Sequence, residues 1–280
     1  MIRSSEECLL KMNRVKAIES EIFELSQASE TEYFAFHKRR YERFEGFLNN
    51  QFPPDSQSEK LKALDIGSHY LHSSMILANM GFEVDGMDVS VFWDMDFVKK
   101  RGSKFGITSI IENDLAKMPE FQSVNDKYDL IVFTEIFEHI TFNPIQLWKT
   151  IYQILKPGGK IYISTPNSLA LANWARNFKN LITLQSIGIT VDDIISKVTY
   201  GHHWKEYSAQ EIKTYFQTLS DDFHVSINPY YYKEYELKSP YLAFKILSRL
   251  GNLTKKFAEE LEVIVEVKEK KSWKKGLSEY

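Results

Sequence analysis

Glu135, Glu138 and His139 follow directly on an apolar run, Tyr128-Asp-Leu-Ile-Val-Phe133. Three ionisable groups at the end of a strand destined for the interior are costly unless they meet a cation, a proton partner or a substrate. If the chain turns helically after the strand, the spacing i, i+3, i+4 puts all three on one face. Two carboxylates and an imidazole so placed suit a divalent cation such as Mg²⁺, Mn²⁺, Fe²⁺ or Zn²⁺, or can manage the proton of a reacting hydroxyl. The spacing is equally compatible with a plainer arrangement, in which Glu135 touches a ligand, Glu138 caps or salt-bridges, and His139 packs. A second set of acids lies at the ends of earlier apolar runs. Asp65 sits in Leu64-Asp-Ile-Gly-Ser68, Asp88 follows Gly67 by twenty-one residues, and Asp114 follows the third run. That is the spacing of a nucleoside site, where a carboxylate after the second strand accepts hydrogen bonds from ribose hydroxyls.

The elements that must position these groups are legible as changes of period. From Lys62 onward short apolar runs alternate with helical stretches, the pattern of a doubly wound α/β fold. Strands are expected at 63–66, 83–87, 107–111, 130–133, 160–164, 224–228 and 261–268, with helices at 73–80, 143–155 and 241–260. Lys156-Pro-Gly-Gly159 is expected to stop the helix before it. Ahead of the sheet, residues 1–55 read as a helical extension: apolar positions recur at three and four from Leu9 to Leu25, and an aromatic-rich helix is expected from Glu32 to Asn49. Pro53 and Pro54 mark the boundary with the main domain, 56–280, which carries a partly helical insertion at 168–207. Ser208 and Glu211 form a capping box that opens the next helix.

With 280 residues, 43% of them hydrophobic, the chain can bury one large core. Its formal charge of -3 gives no general basic footprint, so nucleic acid is not an expected partner. Cys8 is the sole cysteine, which excludes an intrachain disulfide framework and a cysteine-based metal cluster. The residues after Met1 are mixed and charged, and no stretch approaches the roughly 18 apolar residues of a membrane span. A reduced, cytoplasmic setting without a membrane span is the expectation.

The ordered series LDIG, GMD, END, YDLIVFTEIFEHI, LKPGGKIYISTPN and HHWKEYSAQEI resembles the class I S-adenosylmethionine-dependent methyltransferases over about Leu61 to Phe216. Within them it looks most like the branch holding the ubiquinone-biosynthesis O-methyltransferases and the small-RNA 3′-end 2′-O-methyltransferases. The resemblance implies a Rossmann-like, doubly wound seven-stranded sheet with an antiparallel last strand. It implies that Asp65 and Gly67, with Ser68 beside them, line the methionine end of S-adenosylmethionine, that Asp88 binds ribose, and that Asp114 and Leu115 flank adenine. Thr134 and Glu135 would lie under the cofactor where the methyl group moves. It further implies a divalent-cation set of Glu135, Glu138, His139 and His203, with His203 a better match than His202. Without a cation, His139 or His203 would serve as general base, so the catalytic set is His139, His203 and Glu135. Either version favours O-methylation of a small-molecule or glycan hydroxyl.

One departure stands out: His69 and Leu71 occupy positions where the family has glycine after Gly67. Glycine there lets the backbone approach the ligand and take unusual dihedrals. The departure keeps a non-catalytic binding protein of the same fold as an alternative, and an RNA 3′ end is the alternative acceptor. Specificity is expected in the N-terminal helices and the insertion, where Trp174, Arg176, Trp204 and Tyr230-Tyr-Tyr232 either form an aromatic lid or pack.

Overall fold

In the computed structural model, which describes residues 14–25, 28–53, 59–185, 188–196, 201–231 and 242–276, the change of period at Lys62 coincides with the first strand. The chain divides into two units, Met1–Asn113 and Asp114–Tyr280.

The first unit opens with α1 (Arg14–Leu25) and α2 (Ala28–Gln51). Their helical-period stripes are buried: Val15, Ile18 and Ile22 on α1, and Phe34, Tyr41, Phe44 and Leu48 on α2. Strands β1 (Lys62–Ile66), β2 (Glu83–Asp88) and β3 (Thr108–Ile111) follow, with β2 pairing parallel to both others. Helix α3 (His72–Asn79) connects β1 to β2 and is buried from His72 to Leu77. Helices α4 (Ser90–Trp93) and α5 (Asp96–Phe105) lead to β3.

The second unit contains β4 (Tyr128–Thr134), α6 (Ile145–Ile154) and β5 (Leu155–Pro166), with β4 and β5 parallel. The insertion supplies α7 (Leu171–Ile182) and α8 (Val191–Ser196). It is closed at its base by a parallel bridge between Asn167 and Tyr207. Then come α9 (Ala209–Leu219), β6 (Phe223–Tyr230), α10 (Leu242–Thr254) and β7 (Glu260–Val267). The expected capping box is formed at Ser208 and Glu211. Strand β7 runs antiparallel to β5 on one side and β6 on the other. The sheet has seven strands in the order β3-β2-β1-β4-β5-β7-β6, the Rossmann-like α/β arrangement with an antiparallel last strand. Among the described residues no helix is long and apolar enough to cross a membrane.

Several boundaries differ from the sequence expectation, each for a local reason. Helix α2 begins at Ala28, not Glu32, and continues through Ser29. Helix α6 ends at Ile154, and Leu155 enters β5 at once by pairing with Tyr128. Pro157 cannot extend a helix, but Gly158 at φ 81° lets the chain bulge and stay on the sheet. Helix α10 stops at Thr254 rather than near Glu260, because Lys255 turns left-handed at φ 58°. The part of the expected first helix before Arg14 lies outside the described residues.

Candidate functional site

In the first unit the loop after β1 takes the backbone shape that glycines would give it. Gly67, His69 and Leu71 have φ of 75°, 47° and 67°. Left-handed backbone costs a non-glycine residue about 1–2 kcal/mol, so the surroundings must enforce it twice here. Leu71 is fully buried. His69 is fixed from both ends: its N–H donates to Asp88 Oδ2 at 2.7 Å, and its ring lies 4.4 Å from Phe92 and 5.0 Å from Tyr33. Asp88 also accepts from the Val89 N–H at 2.7 Å, yet burial outweighs both donors and pushes its carboxyl up to about 6.

Asp65 is fully buried at the end of β1. Ser74 Oγ donates to its Oδ2 at 2.6 Å, while Oδ1 has no hydrogen-bond partner, and neither does the buried Ser68 Oγ. Burial pushes the Asp65 carboxyl up to about 7. Orphaned buried polar atoms are rare and mark strain or a ligand's place. An acceptor oxygen and a hydroxyl beside a left-handed loop fit a cofactor that brings its own amino and hydroxyl groups.

The raised pKa carries a stability prediction. The folded state binds a proton at Asp65 that the unfolded chain releases, so its contribution falls as pH rises from about 4 to about 7, by roughly 4 kcal/mol if fully expressed. Asp65→Asn is expected to remove that slope, and so to be more favourable relative to wild type at pH 8 than at pH 5 by roughly 2–4 kcal/mol. Urea unfolding at the two pH values measures this; an identical difference at both would refute the ionisation argument.

In the second unit the turn after β4 is not a continuous helix. Glu135 is left-handed at φ 56°, its N–H bound to the Ser164 carbonyl at 2.8 Å. A short 3₁₀ turn then covers Phe137–His139. The structure therefore does not place Glu135 on a helical face with Glu138 and His139. Its carboxylate instead accepts from Ser164 Oγ at 3.2 Å, and Tyr230 OH lies 2.8 Å from that same Oγ. Tyr230, one of the aromatic residues expected either to form a lid or to pack, is buried.

Glu138, His139 and His203 do come together, with one ligand-capable atom from each within 4.8 Å of the others. Glu138 is fully buried, accepts from Thr165 Oγ1 at 2.9 Å, and has Oε1 3.8 Å from His139 Nε2. The two imidazoles are held alike. His139 Nδ1 is 2.8 Å from the His202 carbonyl, which makes that nitrogen the donor, and His203 Nδ1 is 3.3 Å from Glu206 Oε1. The rings are 4.9 Å apart and nearly perpendicular. Burial, with His203 alongside, pushes His139 down to about 4, so it is neutral at physiological pH. The histidine loop is stitched to the turn through the Glu138 carbonyl, which accepts from the Trp204 N–H at 3.0 Å. His202, the other late histidine, is buried.

The remaining expected residues lie as follows. Thr134 ends β4 in register with Ser164. Asp114 is paired with Lys117 Nζ at 2.7 Å and accepts from the Ala116 N–H; Lys117 is the main cause that lowers its carboxyl, and Leu115 beside it is half-buried. Trp174 and Trp204 are both exposed, whereas the Arg176 side chain and Tyr232 lie outside what is described. Thr165, Ser164 and Glu206, which hold the functional groups, were not foreseen. The polar pair ending the apolar run Lys160-Ile-Tyr-Ile-Ser-Thr165 was the available signal for two of them.

Inside the insertion is a cavity of about 620 Å³, lined by Asn173, Asn177 and Asn180 from α7, by Thr190, and by His203 and Trp204. Its volume is within the range of small-molecule sites, about 300–1,000 Å³.

Among curated proteins none matches the sequence. Solved structures share the fold at low identity. A chain in the complex that contains the Haloferax volcanii Trm112 methyltransferase activator has a TM-score of 0.52 at 13% identity, over 95% of this chain and 99% of that one. An S-adenosylmethionine-dependent methyltransferase from Mesorhizobium loti has 0.51 at 17%, over 79% and 96%. Haemonchus contortus phosphoethanolamine N-methyltransferase 2, solved with phosphomonomethylethanolamine and S-adenosylhomocysteine, has 0.51 at 15%, over 82% and 53%. A family model described as a methyltransferase domain matches residues 36–219, which spans the glycine-replaced loop, the strand-end acids and the histidine cluster, and the chain belongs to that family.

Proposed function

We propose that the chain transfers the methyl group of S-adenosylmethionine to a hydroxyl oxygen of a small molecule or glycan, with Glu138, His139 and His203 managing the acceptor's proton. The observation that carries this reading is the paired restraint on the imidazoles. Each Nδ1 faces an acceptor, which leaves each Nε2 lone pair for other work, as in metal-ligating histidines whose second nitrogen is bound to a carbonyl or carboxylate.

Asp65, Ser68 and the left-handed Gly67–Leu71 backbone would receive the methionine end of the cofactor, Asp88 the ribose, and Asp114 with Leu115 the adenine. Glu135, held by Ser164, belongs with Thr134 on the cofactor side rather than in the cation set. The residues before 56 and the insertion 168–207 are assigned to acceptor recognition. The sulfonium is already activated, so the protein's task is to align the hydroxyl and remove its proton.

His139 near 4 is a weak proton acceptor, since a general base works best with a pKa close to the working pH. It is well suited to ligation, because no proton competes for Nε2 at neutral pH. Glu138, His139 and His203 therefore fit a divalent cation better than a base-only scheme. Such a cation, when bound, lowers the pKa of a coordinated hydroxyl. Thr165 then fixes Glu138, and Glu206 and the His202 carbonyl fix the two rings.

The test is calorimetric titration of metal-stripped protein with S-adenosylmethionine, before and after adding Mg²⁺ or Mn²⁺. Micromolar binding is expected in both conditions, with methyl transfer requiring the metal. Absence of cofactor binding in both would sink the reading and favour a non-catalytic role.

A further inference from the structure

Helices α7 and α10 are turned the same unusual way. On α7, Trp174, Phe178, Leu181 and Ile182 form a stripe at helical spacing that is 57–68% exposed, while Ala172 is buried and Asn173, Asn177 and Asn180 are half-buried. On α10, Leu242, Ile246, Leu250 and Leu253 form a second stripe, 49–79% exposed. The buried positions described on α10 are Ser248 and Gly251, with Leu247 half-buried. A helix placed by the hydrophobic effect in water turns its bulky apolar face inward. Both helices instead bury small residues and leave bulky apolar ones outside.

The arrangement is held firmly. Helices α7 and α10 pack against each other, and a Cβ on Gly251 would lie 2.4 Å from the Phe257 carbonyl oxygen and 3.1 Å from Leu171 Cβ, so glycine permits the approach. Asn167 Nδ2 donates to the Lys256 and Ala258 carbonyls at 3.2 and 2.7 Å, and Ser248 Oγ donates to Glu259 Oε1 at 2.6 Å. These bonds anchor the pair where β5 ends and β7 begins.

The charges select the partner. Neither helix contains an acidic residue; together they carry Arg176, Lys179, Lys245 and Arg249, and Lys255 and Lys256 follow α10 directly, in a chain of formal charge -3. Among the described residues, Lys179, Lys245, Arg249, Lys255 and Lys256 form no ion pair. Exposed apolar side chains, a tryptophan and uncommitted cations are the composition of helices that lie in the interface of an anionic bilayer. A second copy would bring the same cations, which repel across a two-fold contact. Helix α8 also exposes Val191 and Ile195 but carries Asp192 and Asp193, so it is left out of that surface.

We propose that α7 and α10 form a peripheral docking surface for an anionic phospholipid bilayer, with their exposed apolar stripes entering the boundary between headgroups and acyl chains and their cations meeting lipid phosphates. Neither helix spans the bilayer, since 12 and 13 residues fall short of the roughly 20 that a span needs. The surface goes beyond the methyltransferase reading and does not rest on it.

Co-sedimentation of the full chain with phosphatidylcholine vesicles, with and without about 30% phosphatidylglycerol, tests it. Binding to the anionic vesicles is expected to be about tenfold tighter or more, and to weaken as salt rises from about 0.1 to about 0.5 M. Lys179→Glu/Arg249→Glu and Phe178→Ser/Leu253→Ser are each expected to weaken it about tenfold or more with the thermal melt kept. Each pair decides alone if the other fails to fold. No binding to anionic vesicles, equal binding to both kinds, or binding unchanged in a folded variant would overturn the proposal. So would a dimer in sedimentation equilibrium that Phe178→Ser/Leu253→Ser dissociates, because a second copy would then cover the stripes.

Discussion

Replacing His139 with alanine is expected to lower kcat by about 10²–10⁴-fold while S-adenosylmethionine affinity is retained. The side chain has no packing role that would explain such a loss: it is half-buried, its Nδ1 is committed to a carbonyl, its Nε2 lies 3.8 Å from Glu138 Oε1, and its ring is 4.9 Å from that of His203. Chelation divides the two ways in which His139 acts. If it holds a cation, chelator-treated wild type should fall to the same floor as His139→Ala, and treating the variant should lower it no further, because parts of one unit are not additive. If it is only a base, the chelator leaves wild type unchanged. Its pKa near 4 adds a sign: the imidazole stays neutral as pH falls from 7 to 5, so activity should not be lost through His139 above about pH 5. Single-turnover methylation together with a cofactor titration decides this, and cofactor binding lost in parallel with turnover would remove His139 from the chemistry.

The parts of this candidate site to which the sequence pointed are those whose chemistry is local. Asp65, Gly67 and Asp88 stand at the ends of apolar runs, and strand ends are where such sheets bind ligands. Glu138 and His139 were readable for the same reason. Glu135 was misplaced because its backbone is set by a hydrogen bond to Ser164, a partner in another strand, and no periodicity in Thr134-Glu-Ile-Phe-Glu-His139 reveals it. The glycine replacements at His69 and Leu71 were visible, but their consequence was not. The left-handed backbone survives because Asp88, Tyr33, Phe92 and the buried surroundings of Leu71 enforce it. The insertion was legible only as partly helical, and the bounds of α7 and the direction in which its apolar stripe points depend on what packs around it.

The largest stability effect is expected from a network that sequence spacing cannot reveal. Glu30 on α2, His72 at the start of α3 and Arg101 on α5 are 42 and 71 residues apart in the pairs they make. Arg101 NH1 donates to Glu30 Oε1 at 2.7 Å and to the Tyr70 carbonyl at 2.7 Å, His72 Nε2 meets Glu30 Oε1 at 2.8 Å, and Tyr41 OH meets His72 Nδ1 at 3.0 Å. Burial lowers His72 and keeps it neutral, so Nε2–H donates to Glu30 and Nδ1 accepts from Tyr41. Burial also opposes the Glu30 charge, but the bonds from His72 and Arg101 outweigh it and hold the carboxyl below its usual range. Both shifts have the same sign in stability: protons bind the unfolded chain more readily, so stability falls on acidification, from about pH 6.5 for His72 and lower for Glu30.

Arg101 is fully buried and Glu30 nearly so, and removing one partner strands the other charge. Arg101→Met is accordingly expected to cost about 3–5 kcal/mol, a drop in Tm on the order of 10 °C for a chain of this size. Glu30→Met/Arg101→Met should recover part of it, since paired apolar replacements of buried ions are often neutral, while the buried His72 Nε2–H, left without its acceptor, keeps a cost of about 1–3 kcal/mol. The double variant separates holding the fold from shaping the loop. Tyr70 and His72 flank the left-handed Leu71, so without Arg101 on the Tyr70 carbonyl the Gly67–Leu71 backbone loses a restraint even when the core is repacked. Partly restored Tm with S-adenosylmethionine affinity still weakened is the expected outcome, read by thermal melts and calorimetry. A single variant that costs less than about 1 kcal/mol would show that the network is worth no more than a surface ion pair, and affinity that recovers together with Tm would show that it serves stability alone.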